Sequence, residues 1–219
     1  MNMYTKHTWT KEHFFNFNYV KYLPAGYDKT KKYPIIFFLH GAGERGNDLE
    51  LAMSNGYMKY VKEQGKKYPF IFIAPQCPEE KYWGCFTESL LAFFDDMINA
   101  LPVDEDRVYL TGLSMGGTGT WMLSMACPEK FAAIAPVCGT GIYWNAERLI
   151  QMPIYIYHGD CDEIVPINES VNMVSAINRR GGSAKLEICH GRGHDVWVEA
   201  YGNDDLWKWL LEHRRSSKE

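Results

Sequence analysis

The 219-residue sequence has no uninterrupted apolar run approaching the roughly 18 residues that a membrane-spanning helix requires, and its mean hydropathy is −0.32. A membrane partner is not expected. Surplus positive charge is also missing, because 23 Lys plus Arg stand against 27 Asp plus Glu for a formal charge of −4. Such a chain has no field with which to capture a polyanion, so nucleic acid is not an expected partner either. The six cysteines, at 77, 85, 127, 138, 161 and 189, make no CxxC pair, and a core of this size needs no disulfide staple. They read as reduced thiols of a cytoplasmic protein. The first 20 residues hold no apolar block of about seven residues, so they read as folded structure and not as a secretion signal. Internal repeats, low-complexity tracts, linkers and a second apolar core are all missing, which makes 1–219 a single expected domain.

What is present is an ordinary globular composition, 46% hydrophobic and 15% aromatic. Residues 14 to 23 alternate, with Phe15, Phe17 and Tyr19 against Asn16 and Asn18, which predicts a half-exposed antiparallel strand. Short apolar runs follow at 34–40, 70–75, 107–112, 132–137, 153–159 and 185–189, and continuous runs of this kind predict strands buried on both faces. Between them, helical spacing covers Glu88 to Leu101, Met115 to Ala126, Asn168 to Arg180 and Asp204 to His213. Alternating strand and helix after an antiparallel opening strand predicts an α/β fold with a mostly parallel sheet and helices on both faces. Ligands of such sheets bind at the carboxyl ends of the strands. The basic clusters Lys29 to Lys32 and Arg214 to Lys218 read as a solvated turn and a frayed tail.

One segment stands out chemically. Gly112-Leu113-Ser114-Met115-Gly116-Gly117 follows the strand RVYLT and precedes a helix, the setting of a nucleophile elbow. Its glycines let strand and helix approach closely while Ser114 projects above the sheet edge. A serine hydroxyl is a weak nucleophile until a base takes its proton, so a histidine and an acid are required at later strand ends. The loops Asp160-Cys161-Asp162-Glu163 and Gly193-His194-Asp195 offer both in the order serine, acid, histidine. His190 directly ends its strand, whereas His194 lies farther out on a glycine-flanked loop, and His194 is favoured as the base. Asp162 is favoured over Asp160 because it lies farther along its loop and precedes Ile164-Val165-Pro166. His40 and His158, in His-Gly turns, read as loop anchors. Two backbone amides are needed for an oxyanion, one from Met115 and one from the loop after PIIFFL. Ala42 is the choice there, with Gly41 and Gly43 close behind. Glu44 and Arg45 follow in that loop, where Arg45 is a candidate substrate contact and a local ion pair between the two is the plainer reading.

Rival motifs are weaker. Gly41-Ala42-Gly43-Glu44-Arg45-Gly46 satisfies G-x-G-x-x-G, but the next strand ends in Gln76 and Cys77 without the acid that a ribose needs, and Glu44 would face a pyrophosphate. The spacings His158-x-Asp160-x-Asp162 and His190-x3-His194 contain metal-ligand types, yet Gly191 and Gly193 break any helical histidine pair. No metal site and no cofactor is expected, and there is no Walker A sequence.

Taken together, the motifs resemble the α/β-hydrolase superfamily, and within it the phospholipase/carboxylesterase group with its feruloyl-esterase-like and predicted-peptidase relatives. FLHGAGERGND looks like that superfamily's oxyanion loop, GLSMGG its elbow, HGDCDEIVP its acid loop and GRGHDVW its histidine loop. The resemblance implies Ser114 as nucleophile, Asp162 as acid, His194 as base, and amides of Ala42 and Met115 as oxyanion donors. Only 15 residues, 138 to 152, separate AAIAPV from PIYIYHG, which leaves no room for a large cap domain. A lidless site favours small-molecule or carbohydrate-linked soluble esters, with Trp83, Trp144 and Trp197 as candidates to stack on a sugar or aromatic acyl group, core or rim packing being the equal alternative. The expected activity is that of a serine carboxylesterase, falling as pH drops through the ordinary histidine range near about 6.5 and indifferent to chelators. A peptidase, a thioesterase or a silent hydrolase-fold binding protein would carry the same motifs.

Overall fold

The computed structural model describes residues 4–65 and 67–215. Among these, eight strands form one sheet: β1 (Tyr4–Trp9), β2 (Phe17–Tyr22), β3 (Tyr33–Leu39), β4 (Ile71–Pro75), β5 (Val103–Leu113), β6 (Ala133–Val137), β7 (Ile154–Gly159) and β8 (Ala184–Cys189). Their spatial order is β1-β2-β4-β3-β5-β6-β7-β8. The β1–β2 and β2–β4 pairs are antiparallel, and every pair from β4 to β8 is parallel. This is the mostly parallel sheet with antiparallel opening strands that the alternation predicts.

Helices cover both faces. On one lie α3 (Thr87–Ala100), α4 (Met115–Ala126) and α5 (Asn168–Asn178), which pack Phe93, Phe94, Trp121 and Met173 against Ile35, Phe37, Ile73 and Leu110. On the other lie α1 (Leu49–Ala52), α2 (Gly56–Gln64), α6 (Trp197–Gly202) and α7 (Asp205–Glu212), which pack Tyr57, Tyr201 and Trp207 against Ile36, Phe38, Phe72 and Tyr109. Alternate residues of one central strand thus feed two separate cores, which is why the central strands read as unbroken apolar runs. The connection from β6 to β7 carries only the 3-10 segment Tyr143–Leu149, and no cap domain is built on it.

Three expectations are corrected. β2 is not half-exposed: Phe17 and Tyr19 pack on Phe93 while Val20 and Tyr22 are buried on the opposite face, and Phe15 falls outside the strand. β8 is an edge strand with much of its length partly exposed, not one buried on both faces, because no strand among the described residues pairs beyond it. The basic tail is tied down at its start, since Arg214 pairs with Asp104 and the Arg215 amide donates to the Asp106 carbonyl. Its remainder, 216–218, lies outside the described residues. The order β4-β3-β5 makes β3 and β5 the point from which the connections diverge, and the chemistry-bearing loops leave the sheet at that rim.

Candidate active site

Ser114 sits between β5 and α4 with φ = 52° and ψ = −116°, a conformation that a non-glycine residue holds only when its surroundings impose it. Those surroundings are tight. The Ser114 amide donates to the Val137 carbonyl, and a Cβ on Gly112 would lie 2.5 Å from the Gly116 carbonyl oxygen. Strand and helix therefore close around the serine, leaving its hydroxyl half-exposed at the rim.

His194 and Asp162 reach the same place from the loops after β8 and β7. The Ser114 Oγ lies 2.8 Å from His194 Nε2, and His194 Nδ1 lies 2.7 Å from Asp162 Oδ2. One neutral tautomer serves both contacts, with Nδ1–H donating to the carboxylate and Nε2 accepting from the hydroxyl. The other carboxylate oxygen, Oδ1, accepts the Ile164 and Val165 amides at 2.9 Å each. Burial opposes ionisation of Asp162, but its hydrogen bonds from His194, Val165 and Ile164 prevail and hold the carboxyl below the usual carboxylate range. Trp197, the first residue of α6, sets its ring edge-on to His194 at 5.4 Å between centroids.

The competing pair keeps to itself. His190 Nδ1 meets Asp160 Oδ2 at 2.8 Å on the surface, and Asp160 Oδ1 takes the Gly191 amide, so both side chains serve to tie the β7 and β8 loops together.

The loop after β3 is anchored from below. His40 Nε2 accepts the Cys77 amide at 2.9 Å, which fixes the remaining hydrogen on Nδ1, where it donates to the Gly41 carbonyl at 2.6 Å. Burial pushes the His40 pKa down to about 4, so the ring is a neutral peg. Ala42 opens a one-turn 3-10 segment, Ala42–Glu44, and is exposed at the rim, while Met115 is the first residue of α4, whose leading amides have no acceptor within the helix.

Two sequence expectations fail here. Arg45 and Glu44 do not pair: Arg45 Nε donates to the Ala42 carbonyl at 2.8 Å and clamps that peptide, while Glu44 turns inward and accepts from Asn55. Trp83 has no free face for a ligand. It is 1% exposed, donates its indole N–H to the His40 carbonyl at 2.9 Å and packs on the His40 ring, so it is part of the support beneath the loop. Trp144, by contrast, is 70% exposed and stands edge-on to Tyr143.

The sequence reasoning also passed over Cys138, whose backbone has φ = 40° and whose thiol donates to the His194 carbonyl at 3.5 Å. Among the described residues, Cys138, Asp162 and His194 form a group with metal-ligand atoms within 4.8 Å of one another. Two of its members are already bonded to each other, and burial pushes the Cys138 thiol up, which keeps it protonated. No spacing in the sequence signals this thiol, because it reaches the site through the end of β6.

Comparison with known proteins identifies the family and the fold. A model of the dienelactone hydrolase family matches residues 79–202, more than half the chain and the part that holds Ser114, Asp162 and His194. The probable feruloyl esterase C of Aspergillus terreus is 27% identical over 194 residues, covering 84% of this chain and 70% of that protein. Dipeptidyl-peptidase 5 of Aspergillus fumigatus is 25% identical, covering 84% of this chain but only 31% of its own length. Among solved structures, a thermostable esterase superposes with a TM-score of 0.87 at 31% identity, over 98% of this chain and 64% of that one. A mutant feruloyl esterase module from Clostridium thermocellum complexed with sinapinate shares the fold, with a TM-score of 0.73 at 18% identity over 96% of this chain and 87% of the module. The chain thus spans less than two thirds of the thermostable esterase and about a third of the dipeptidyl-peptidase.

Proposed function

The chain belongs to the dienelactone hydrolase family and has the α/β-hydrolase fold, and on that footing we propose that it is a serine carboxylesterase acting on small or carbohydrate-linked soluble esters. The observation that carries this reading is the hydrogen-bonded line from Ser114 through His194 to Asp162 at the carboxyl ends of the strands. In the reaction, His194 Nε2 takes the hydroxyl proton as Ser114 Oγ attacks the ester carbonyl. Asp162 holds the imidazolium that results. Negative charge gathers on the former carbonyl oxygen, where the amides of Ala42 and Met115 receive it. Collapse returns the proton to the leaving alcohol and leaves an acyl-enzyme. Water, deprotonated by the same imidazole, then releases the acid and restores Ser114.

Trp197 and Trp144 are the aromatic surfaces offered to an aryl acyl group or a sugar, and Arg45 acts through the peptide it clamps. The six unpaired cysteines suit a reducing compartment, and we take the cytoplasm as the setting. The test is labelling by a fluorophosphonate together with hydrolysis of short, long and aryl esters by wild type and Ser114→Ala. Ser114-dependent labelling and turnover are expected, and an unlabelled wild type defeats the proposal. A second reading, amide hydrolysis, rests on the likeness to dipeptidyl-peptidase 5; aminoacyl and dipeptidyl amides in the same panel decide it.

A further inference from the structure

His158, the penultimate residue of β7, is fully buried, as is Ser170 in the first turn of α5, and the reaction above uses neither. Their contacts are specific. His158 Nε2 faces the Val165 carbonyl at 2.8 Å and Asp162 Oδ2 at 3.3 Å. A carbonyl only accepts, so Nε2 must carry the hydrogen. Nδ1 is then the acceptor of the ring, and Ser170 Oγ, 2.7 Å away, donates to it. Burial pushes the His158 pKa down, against the opposing pull of the Val165 carbonyl and Asp162, so the ring stays neutral with its tautomer fixed.

The sequence Ser170, His158, Asp162 repeats in the core the order Ser114, His194, Asp162 at the rim. Asp162 is the shared member. Its Oδ2 receives His194 at 2.7 Å with His158 Nε2 at 3.3 Å, and its Oδ1 receives the two loop amides. Val165 closes the circuit, because its amide holds Asp162 while its carbonyl holds His158. The groups facing Asp162 are therefore His194, His158 and the two amides, with the Cys138 thiol adjacent.

We propose that His158 and Ser170 are positioning residues for the proposed reaction, a buried serine–histidine pair that locks the Asp162 carboxylate in the orientation His194 requires. This rests on reading Ser114, His194 and Asp162 as the catalytic set. The physical reason is that a carboxylate free to rotate loses the in-line contact with Nδ1–H, and with it both the correct tautomer of the base and the support of its protonated form. The His194 donor on one oxygen, the two amides on the other and the His158 ring held 3.3 Å from Oδ2 remove that freedom. The pair is closed to solvent, so it sets geometry and does not exchange a proton with substrate.

The experiment uses the full chain and four variants. Ser170→Ala removes one hydroxyl, and Ser170→Thr restores it; His158→Leu removes the N–H, and His158→Gln returns an amide N–H near the Nε2 position. For Ser170→Ala and His158→Leu we expect kcat for an aryl ester to fall roughly tenfold or more with KM within about twofold, since misplacement of a reacting group acts on the transition state. The acidic limb of kcat/KM should move to lower pH, because a less well-oriented Asp162 supports the protonated base less. Ser170→Thr and His158→Gln should recover most of the loss. A folded Ser170→Ala with the wild-type kcat and acidic limb overturns the proposal, even if its denaturation midpoint is lower, and this variant decides the matter should His158→Leu fail to fold. Fluorophosphonate labelling separates the two layers: an unlabelled wild type defeats the catalytic reading, whereas a labelled wild type indifferent to Ser170→Ala defeats the positioning role alone.

Discussion

Gly116 and Leu39 meet backbone to backbone: a Cβ on Gly116 would stand 1.9 Å from the Leu39 carbonyl oxygen and 2.7 Å from that of His40. The contact joins the start of α4, which follows the serine, to the end of β3, which leads into the proposed oxyanion loop. The two proposed oxyanion amides, at Met115 and Ala42, are thereby held on one rigid seam. No side chain can be added there without parting it.

Gly116→Ala should therefore cost about 3 kcal/mol of stability, the upper part of the range for overpacking a closed contact. It should also lower kcat more than it raises KM, since the displaced amides matter most when charge develops on oxygen. Urea unfolding and steady-state kinetics on the same preparation measure both. A variant with unchanged midpoint would show the seam to be pliable.

The two acid–histidine pairs give a sharper test of the site. Asp162→Asn should lower kcat by about 10^4-fold, because an amide in place of the carboxylate favours the wrong imidazole tautomer. Asp160→Asn and His190→Gln, which touch a surface tie between loops, should leave kcat within about twofold. Equal losses from Asp160→Asn and Asp162→Asn would mean that the base is not the one bonded to Ser114.

How much of this was legible in the residues depended on what each signal measures. The central strands declared themselves because both of their faces are buried, and α4 declared itself from Met115 to Ala126 by its spacing. β1, an edge strand reading YTKHTW, has no comparable apolar run, and α1, α2 and α6 are at most nine residues long, too short for a period to stand out. Ser114 was visible because its turn demands glycines, and His194 because its loop is long. Trp83 stays open between stacking and packing at the level of sequence, because a tryptophan in a connecting segment looks the same whether it faces solvent or the floor of the loop above it. His158 looked only like an anchor, since its contacts with Ser170 and Asp162 come from the packing of α5 and not from local sequence.

Trp83 and Trp144 should consequently behave as opposites. Trp83→Ala removes a buried indole bonded to His40 and should destabilise the protein by about 3–5 kcal/mol. Trp144→Ala should change stability by less than about 0.5 kcal/mol. If the exposed ring stacks on substrate, its loss should raise KM for an aryl or carbohydrate-linked ester by up to about tenfold while sparing a short aliphatic ester, in keeping with about 0.5–1.5 kcal/mol for a ring contact. Denaturation midpoints and KM values for the two ester types read out each half.

The neutral peg His40 makes stability depend on pH with a definite sign. Its pKa in the folded protein is about 4, against an ordinary value of 6.5. Between those values the unfolded chain binds a proton that the native protein refuses, so stability falls as pH falls. The contribution is fully present above pH 6.5 and is lost progressively down to about pH 4, amounting to about 3 kcal/mol over that window. Buried His158, shifted in the same direction, adds to the same trend, and Asp162, held below the usual carboxylate range, extends it to still lower pH. Protonation of His40 would put a hydrogen on the nitrogen that accepts the Cys77 amide, so the oxyanion loop should loosen with the acid loss of stability. His40→Gln can still accept that amide but cannot titrate, and its urea midpoint should vary less than that of the wild type between pH 7.5 and 4.5. Parallel curves for the two proteins would mean that the acid sensitivity resides elsewhere in the fold.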